Sequence, residues 1–128
     1  MRYLLDTHAL LWWLGDDTRI GPGARAAIAD PGNQILVSIA SLWEIVVKQR
    51  IGKLEADIGA VLRAVERDGF TMLEIAPAAL RRLASLPAHH RDPFDHLLIA
   101  QAIAARARFL TADRRAALYP VDCVSCAD

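Results

Sequence analysis

Five acidic residues stand where they could do chemistry. Asp6 closes "RYLLD", Glu44 lies within "SLWEIVVKQR", Asp92 and Asp95 bracket a proline in "HRDPFDHLLIAQA", and Asp113 follows "RFLTA". Most have an ordinary structural role available. Asp92-Pro93 reads as a helix N-cap followed by proline at the first helical position, with Asp95 at N3, where the helix dipole favours an acid. Ser41-Leu42-Trp43-Glu44 matches a capping box, and Asp113 could simply open a turn before "RRAAL". Asp6 resists such a reading. It ends an apolar run expected to be buried, where an unpaired carboxylate is costly. Acids gathered in one place suit Mg²⁺ or Mn²⁺, hard cations that prefer carboxylate and water oxygens. No GxGxxG or P-loop is present to support a nucleotide cofactor.

The elements that must position these acids follow from the hydrophobic pattern. Residues 2–6, 34–38, 71–75, 108–111 and 121–125 are short apolar runs bounded by turn or helix signals. The first four read as strands buried on both faces of a parallel sheet. Helices are expected over 9–15, 22–30, 41–50, 56–68, 77–86 and from 93 to about 106. The fourth carries Ile58, Val61, Leu62 and Val65 at the spacing of one buried face. The last is apolar nearly all round and therefore central. Strands alternating with helices give an α/β domain over 1–128, with a mostly parallel central sheet of four to five strands. In such sheets ligands bind beyond the carboxyl ends of the strands, where the strand order switches. Asp6, Ser38, Glu44 and Asp113 all follow strand ends, and Asp95 lies in the helix before the fourth strand.

Composition sets outer limits. Hydrophobic residues make up 54% of the chain and aromatics 6%, so Leu, Ala, Ile and Val build a packed core and disorder is excluded. No apolar run reaches the roughly 18 residues of a membrane span, and the N-terminal stretch reads as mature protein rather than a signal peptide. Cys123 and Cys126 form a C-x-x-C at the end of the chain. One pair cannot complete a four-ligand zinc site, and the setting is a terminal strand rather than the helix start a redox pair needs. Net charge is zero, from 15 basic and 15 acidic residues. With four acids set aside as metal ligands, 15 basic residues face 11 acidic ones, so net charge does not exclude nucleic acid.

Four blocks in order, "LLDTHALLWWL", "SIASLWEIVVKQ", "HRDPFDHLLIAQA" and "FLTADRR", resemble the signature blocks of PIN-domain proteins, and most of all the VapC-like ribonuclease toxins of toxin–antitoxin pairs. The resemblance implies an acidic quartet of Asp6, Glu44, Asp95 and Asp113, serving as catalytic residues and ligands to Mg²⁺ or Mn²⁺. It matches Thr111 to the hydroxyl of the T-x-D block and leaves Asp92 as the N-cap. The implied activity is hydrolysis of RNA phosphodiester bonds by metal-activated water, giving 5′-phosphate and 3′-hydroxyl ends. The implied setting is cytoplasmic, with a VapB-like antitoxin, a homodimer and no membrane.

Cations near the blocks, Lys48, Arg50, Lys53, Arg91, Arg114 and Arg115, could hold the phosphate backbone, although any one of them equally suits a solvated surface. His8 and His96 are expected to support the site or the fold rather than act as bases. Trp12, Trp13 and Trp43 are expected to pack in the core, with a share at a subunit or antitoxin interface. The alternative in another class is a catalytically inactive PIN-like module that binds RNA or protein. A phosphatase of small molecules lacks any sugar or nucleotide pocket signal.

Overall fold

The computed structural model describes residues 1–89 and 92–128. Arg91, one of the cations expected near phosphate, lies outside the described residues. The apolar runs form five strands, β1 (Arg2–Leu5), β2 (Gln34–Ser38), β3 (Thr71–Leu73), β4 (Arg108–Thr111) and β5 (Cys123–Ser125). They pair in the order β3-β2-β1-β4-β5, and every neighbouring pair is parallel. Parallel pairing needs long crossovers. These are supplied by α1 (Thr7–Leu14) and α2 (Pro22–Ala29), then α3 (Ile39–Arg50) and α4 (Ile58–Arg67), then α5 (Pro77–Ser85) and α6 (Pro93–Ala104). A short 3₁₀ helix, Arg114–Leu118, links β4 to β5. The expected α/β architecture holds, with five strands all parallel.

Alternation along the central strands sorts the core into two layers. Leu5, Val37 and Leu110 point to one face, where Leu10, Ile28, Ile45, Val61 and Val65 cover them. Leu4, Leu36 and Phe109 point to the other, against Leu98, Ile99 and Ala102 of α6. Each such side chain contributes about 1.5–3 kcal/mol on full burial. Helix α6 is sunk from Leu98 to Ala102, as its all-round apolar pattern predicts.

Several expectations are corrected. Burial on both faces applies to β1, β2 and β4, whereas β3 is a largely exposed edge strand and β5 a half-buried one. They are also shorter than read, β3 stopping at Leu73 and β5 starting at Cys123. Helices α1 and α3 start two residues earlier than read, because Asp6 and Ser38 cap them directly. On α4, Leu62 is 41% exposed instead of buried, and Ala64 takes a place on the inner face.

The chain begins in the middle of the sheet, winds outward through β2 to β3, then returns past β1 to add β4 and β5. The direction therefore reverses between β1 and β4. The carboxyl ends of those two strands are tied where Asp6 N–H donates to the Leu110 carbonyl at 2.9 Å. This is the switch point at which such folds hold their ligands.

Candidate active site

Asp6 leaves β1 and caps α1, so its backbone turns exactly once between strand and helix while its side chain stays inside; it is 2% exposed. Its Oδ1 accepts from the Ala9 amide at 2.6 Å. Its Oδ2 accepts from the Thr111 hydroxyl at 2.7 Å and the Ala112 amide at 2.9 Å. Burial holds the Asp6 carboxyl above its ordinary pKa, while these hydrogen bonds and nearby His8 pull the other way. The Thr111 hydroxyl also accepts from the Asp113 amide at 3.0 Å, so one side chain ties the first acid to the loop of the fourth.

Glu44, 3% exposed, is the second buried acid. The Thr7 hydroxyl donates to its Oε1 at 2.7 Å, and Lys48, one turn on, meets its Oε2 at 2.6 Å. Two sequence readings change here. The capping box at Ser41 is not formed, since Ser38 is the N-cap and accepts from the Ala40 amide. Lys48, offered either as a phosphate contact or as solvated surface, pairs with Glu44. Thr7 was not singled out from the sequence; its place directly after Asp6 in "LLDTH" was the available signal. Ser41 Oγ is fully buried, with no hydrogen-bond partner, on the same face of α3 as Glu44.

Asp92 is the N-cap of α6, as read, accepting from the Phe94 amide at 3.0 Å and the Asp95 amide at 3.4 Å. Asp95 lies in the first helical turn, where the dipole favours its charge. Its carboxyl is nevertheless pushed up to about 7, first by burial and then by the charges of Asp92, Asp6, Glu44 and Asp113. All the acids singled out from the sequence are thus felt at one carboxyl. Asp113 caps the 3₁₀ helix through the Arg115 amide and holds the Arg115 guanidinium at 2.8 Å. The turn-opening role read for it is real.

Asp6, Asp92, Asp95 and Asp113 line one cleft of about 530 Å³. His8, Trp12, Arg114 and Arg115 complete its walls. Arg50 and Lys53 are exposed and do not line it. His96 meets the Tyr119 hydroxyl at 3.1 Å. Trp13 donates to Asp68 at 3.0 Å and Trp12 packs partly on the core, whereas Trp43 is 57% exposed with its ring 5.1 Å from Phe94. Cys123 and Cys126 are free thiols held above their ordinary pKa by burial, Cys126 at about 11, so neither is activated.

Among the described residues no three acidic, histidine or cysteine side chains form a ready-made cage for an ion. The donor set nonetheless fits a hard divalent cation. It is made of carboxylate oxygens, among which burial first and repulsion second raise Asp95, and an unpartnered buried hydroxyl, Ser41, accompanies Glu44 on α3. Among the described residues no helix is long and apolar enough to cross a membrane.

Solved structures share the fold. Among them are VapBC2 from Rickettsia felis bound to a promoter DNA fragment (TM-score 0.75, 16% identity, 97% of this chain and 98% of that one), VapBC-1 from nontypeable Haemophilus influenzae (0.70, 14%, 100% of both), and a toxin–antitoxin complex from Klebsiella pneumoniae (0.66, 18%, 97% of both). No curated protein matches the sequence. The PIN domain family model matches residues 3–121, nearly the whole chain. With its parallel sheet and its acids at the β1–β4 switch point, the chain belongs to the PIN-domain family.

Proposed function

We propose that this protein is a metal-dependent endoribonuclease, the toxin of a toxin–antitoxin pair. The observation that carries the reading is the cleft at the β1–β4 switch point lined by Asp6, Asp92, Asp95 and Asp113, where burial first and the neighbouring charges second push Asp95 up. Asp6, Glu44 and Asp95 would hold Mg²⁺ or Mn²⁺ directly or through water, with Asp113 completing the set. When bound, such an ion offsets charge on the phosphate and lowers the cost of deprotonating water. The chain's own residues do the rest. Thr111 and the Ala9 and Ala112 amides fix both oxygens of Asp6, and Thr7 fixes one of Glu44, so these carboxylates need little reorganisation. Arg114 supplies positive charge that draws the RNA backbone to an otherwise acidic cleft, while the Arg115 guanidinium is taken up by Asp113. Support for an antitoxin partner comes from the shared fold with chains solved in VapBC complexes. A VapB-like antitoxin, a homodimer and a cytoplasmic setting belong to the same proposal.

The test is induced expression of wild type and Asp6→Asn, with RNA ends mapped in both and the purified proteins assayed in Mg²⁺, Mn²⁺ and EDTA. New 5′-phosphate ends confined to wild type, and lost with chelator, are expected. Equal cleavage by both proteins, or full cleavage in EDTA, overturns the proposal.

A further inference from the structure

At the end of the sheet opposite the acidic cleft, by the amino ends of β1 and β4, lies a second cavity of about 400 Å³. Arg2, Arg106, Arg108 and Asp122 line it, with Ile103 and Val121 among its apolar walls. Three guanidiniums there face one carboxylate, an excess of two positive charges. Two of the arginines have structural tasks. Arg2 Nη1 donates to the Ala105 carbonyl at the end of α6 at 2.9 Å, and Arg108 Nε meets Asp122 Oδ2 at 3.0 Å. Each contact uses one of the five donors of its guanidinium, and an exposed pair such as Arg108–Asp122 holds a side chain only weakly. Arg106 has no such task. Its side chain is exposed, and among the described residues no hydrogen bond or ion pair holds its guanidinium.

The backbone of Arg106 makes the residue type harder to dismiss. Helix α6 closes where the Arg106 amide donates to the Ile103 carbonyl at 3.1 Å and the Ala107 amide to the Ala102 carbonyl at 2.9 Å. That turn holds Arg106 at φ +53°, a left-handed position that suits glycine, because a Cβ there crowds the backbone. After α3 and α4 the chain makes the same turn with Gly52 at φ +74° and Gly69 at φ +73°. After α1 the position falls to Asp16, a residue type that tolerates it. At the end of α6 a long cationic side chain stands where glycine fits better, and it stands beside two more arginines.

We propose that Arg2, Arg106 and Arg108 form a binding site for a phosphate monoester at this end of the sheet. The site does not depend on the nuclease reading. A monoester carries roughly −1.5 to −2 charges at neutral pH, which answers the excess of two, whereas a carboxylate would leave one positive charge unmatched. Guanidinium forks also pair with phosphate oxygens two at a time. A volume of about 400 Å³ lies toward the small end of ligand sites, roughly 300–1,000 Å³, and suits a phosphorylated small molecule or the phosphorylated end of a strand. Both sources present the same group to the arginines.

The experiment titrates the full chain, in metal-free buffer at fixed ionic strength, with inorganic phosphate, a nucleoside monophosphate and acetate, followed by calorimetry. A labelled RNA octamer with a 5′-phosphate and its 5′-hydroxyl twin are titrated by anisotropy. The variants are Arg106→Gly, Arg108→Gln, Arg114→Gln in the acidic cleft, and Arg81→Gln on the exposed face of α5. Arg106→Gly and Arg108→Gln should each weaken phosphate binding roughly ten- to a hundredfold, while Arg114→Gln and Arg81→Gln bind like wild type. Without ligand, Arg106→Gly should melt at or above wild type, because glycine suits φ +53°. Loss of binding without loss of stability is the signature of a residue kept for its ligand. A nucleoside monophosphate bound more tightly than phosphate identifies a small molecule as the source. Preference for the 5′-phosphorylated octamer, abolished by Arg106→Gly, identifies a strand end, and either result upholds the site. Loss with Arg114→Gln but not Arg106→Gly puts the anion in the acidic cleft and overturns the proposal. Equal loss with Arg81→Gln, equal binding of acetate, no binding of any phosphate, or a lower melting temperature for Arg106→Gly overturns it as well.

Discussion

Replacing Asp95 by Asn separates a helix-capping acid from a member of a charged cluster, because the two roles predict opposite signs. If Asp95 only serves the start of α6, Asn loses a charge–dipole contribution of about 0.3–1 kcal/mol, whatever the metal. The structure places it instead at about 7, raised from 3.8 by burial and then by Asp92, Asp6, Glu44 and Asp113. A carboxyl raised in the folded state binds more protons folded than unfolded. Its contribution is fully present below pH 3.8, drains away as pH rises to about 7, and stays lost above that. Without metal at pH 8, the ionised group costs on the order of 4 kcal/mol relative to the unfolded chain. Solvent at the cleft mouth screens part of this, leaving roughly 1–3 kcal/mol for Asn to recover. For a chain of this size that is a rise in melting temperature of roughly 5–10 °C. At pH 4 the two proteins should melt nearly together. Saturating Mg²⁺ at pH 8 should narrow or reverse the gap, since only wild type keeps the full ligand set that binding stabilises. Melting curves at pH 4 and pH 8, each in EDTA and in Mg²⁺, decide it. An Asn variant that melts lower than wild type by the same margin in all four refutes the reasoning.

Other outcomes follow from the same contacts. Asp6→Asn should abolish RNA cleavage and growth arrest, with a stability cost of about 1–3 kcal/mol, because its amide turns a donor toward the Ala112 N–H; arrest by this variant at equal expression contradicts the assignment. Lys48→Met strips the nearly buried Glu44 of its ion pair, so the chain should melt lower in EDTA yet take up Mn²⁺ at lower concentration, read by titration of the Mn²⁺ paramagnetic signal. An unchanged Mn²⁺ midpoint would mean that Lys48 does not compete with the ion. Leu4→Ala should cost about 2–5 kcal/mol in urea unfolding, as the side chain is fully buried between β1 and α6. The native thiols should alkylate slowly at pH 7, and rapid modification of Cys126 would show that its burial is misjudged.

How much of this was legible depended on whether the signal was local. Asp92-Pro93 announced a helix start, and the α6 pattern announced a central helix, because capping and periodicity are properties of neighbouring residues. The strand runs at 2–6, 34–38 and 108–111 were legible for the same reason. The ends of the edge strands were not, since they depend on pairing with the strand beside them, Leu73 facing Ser38 at the end of β2 and Cys123 facing Phe109 of β4. Residue type also pointed to Asp6, Glu44, Asp95 and Asp113 as acids of one edge. What each oxygen touches was hidden. Thr7 meets Glu44 across 37 residues, and Thr111 meets Asp6 across 105, so those contacts exist only through the sheet order. The Ser41 capping box failed because Ser38 offered an equally good cap three residues earlier, and spacing alone cannot rank two serines.

The place of β1 in the middle of the sheet bears on when the protein can become active during its synthesis. Emerging chain can add β2 and β3 to one side of β1, but the other side waits for residues 108–111. Until then Asp6 lacks the Thr111 and Ala112 donors, and one edge of β1 stays open to pairing with other chains. A ribosome-bound or truncated fragment is therefore both without a finished centre and prone to aggregate. If the protein is the nuclease proposed, it stays inactive until almost the whole message has been read, and stalled chains ending before residue 108 should neither cleave RNA nor resist pulse proteolysis.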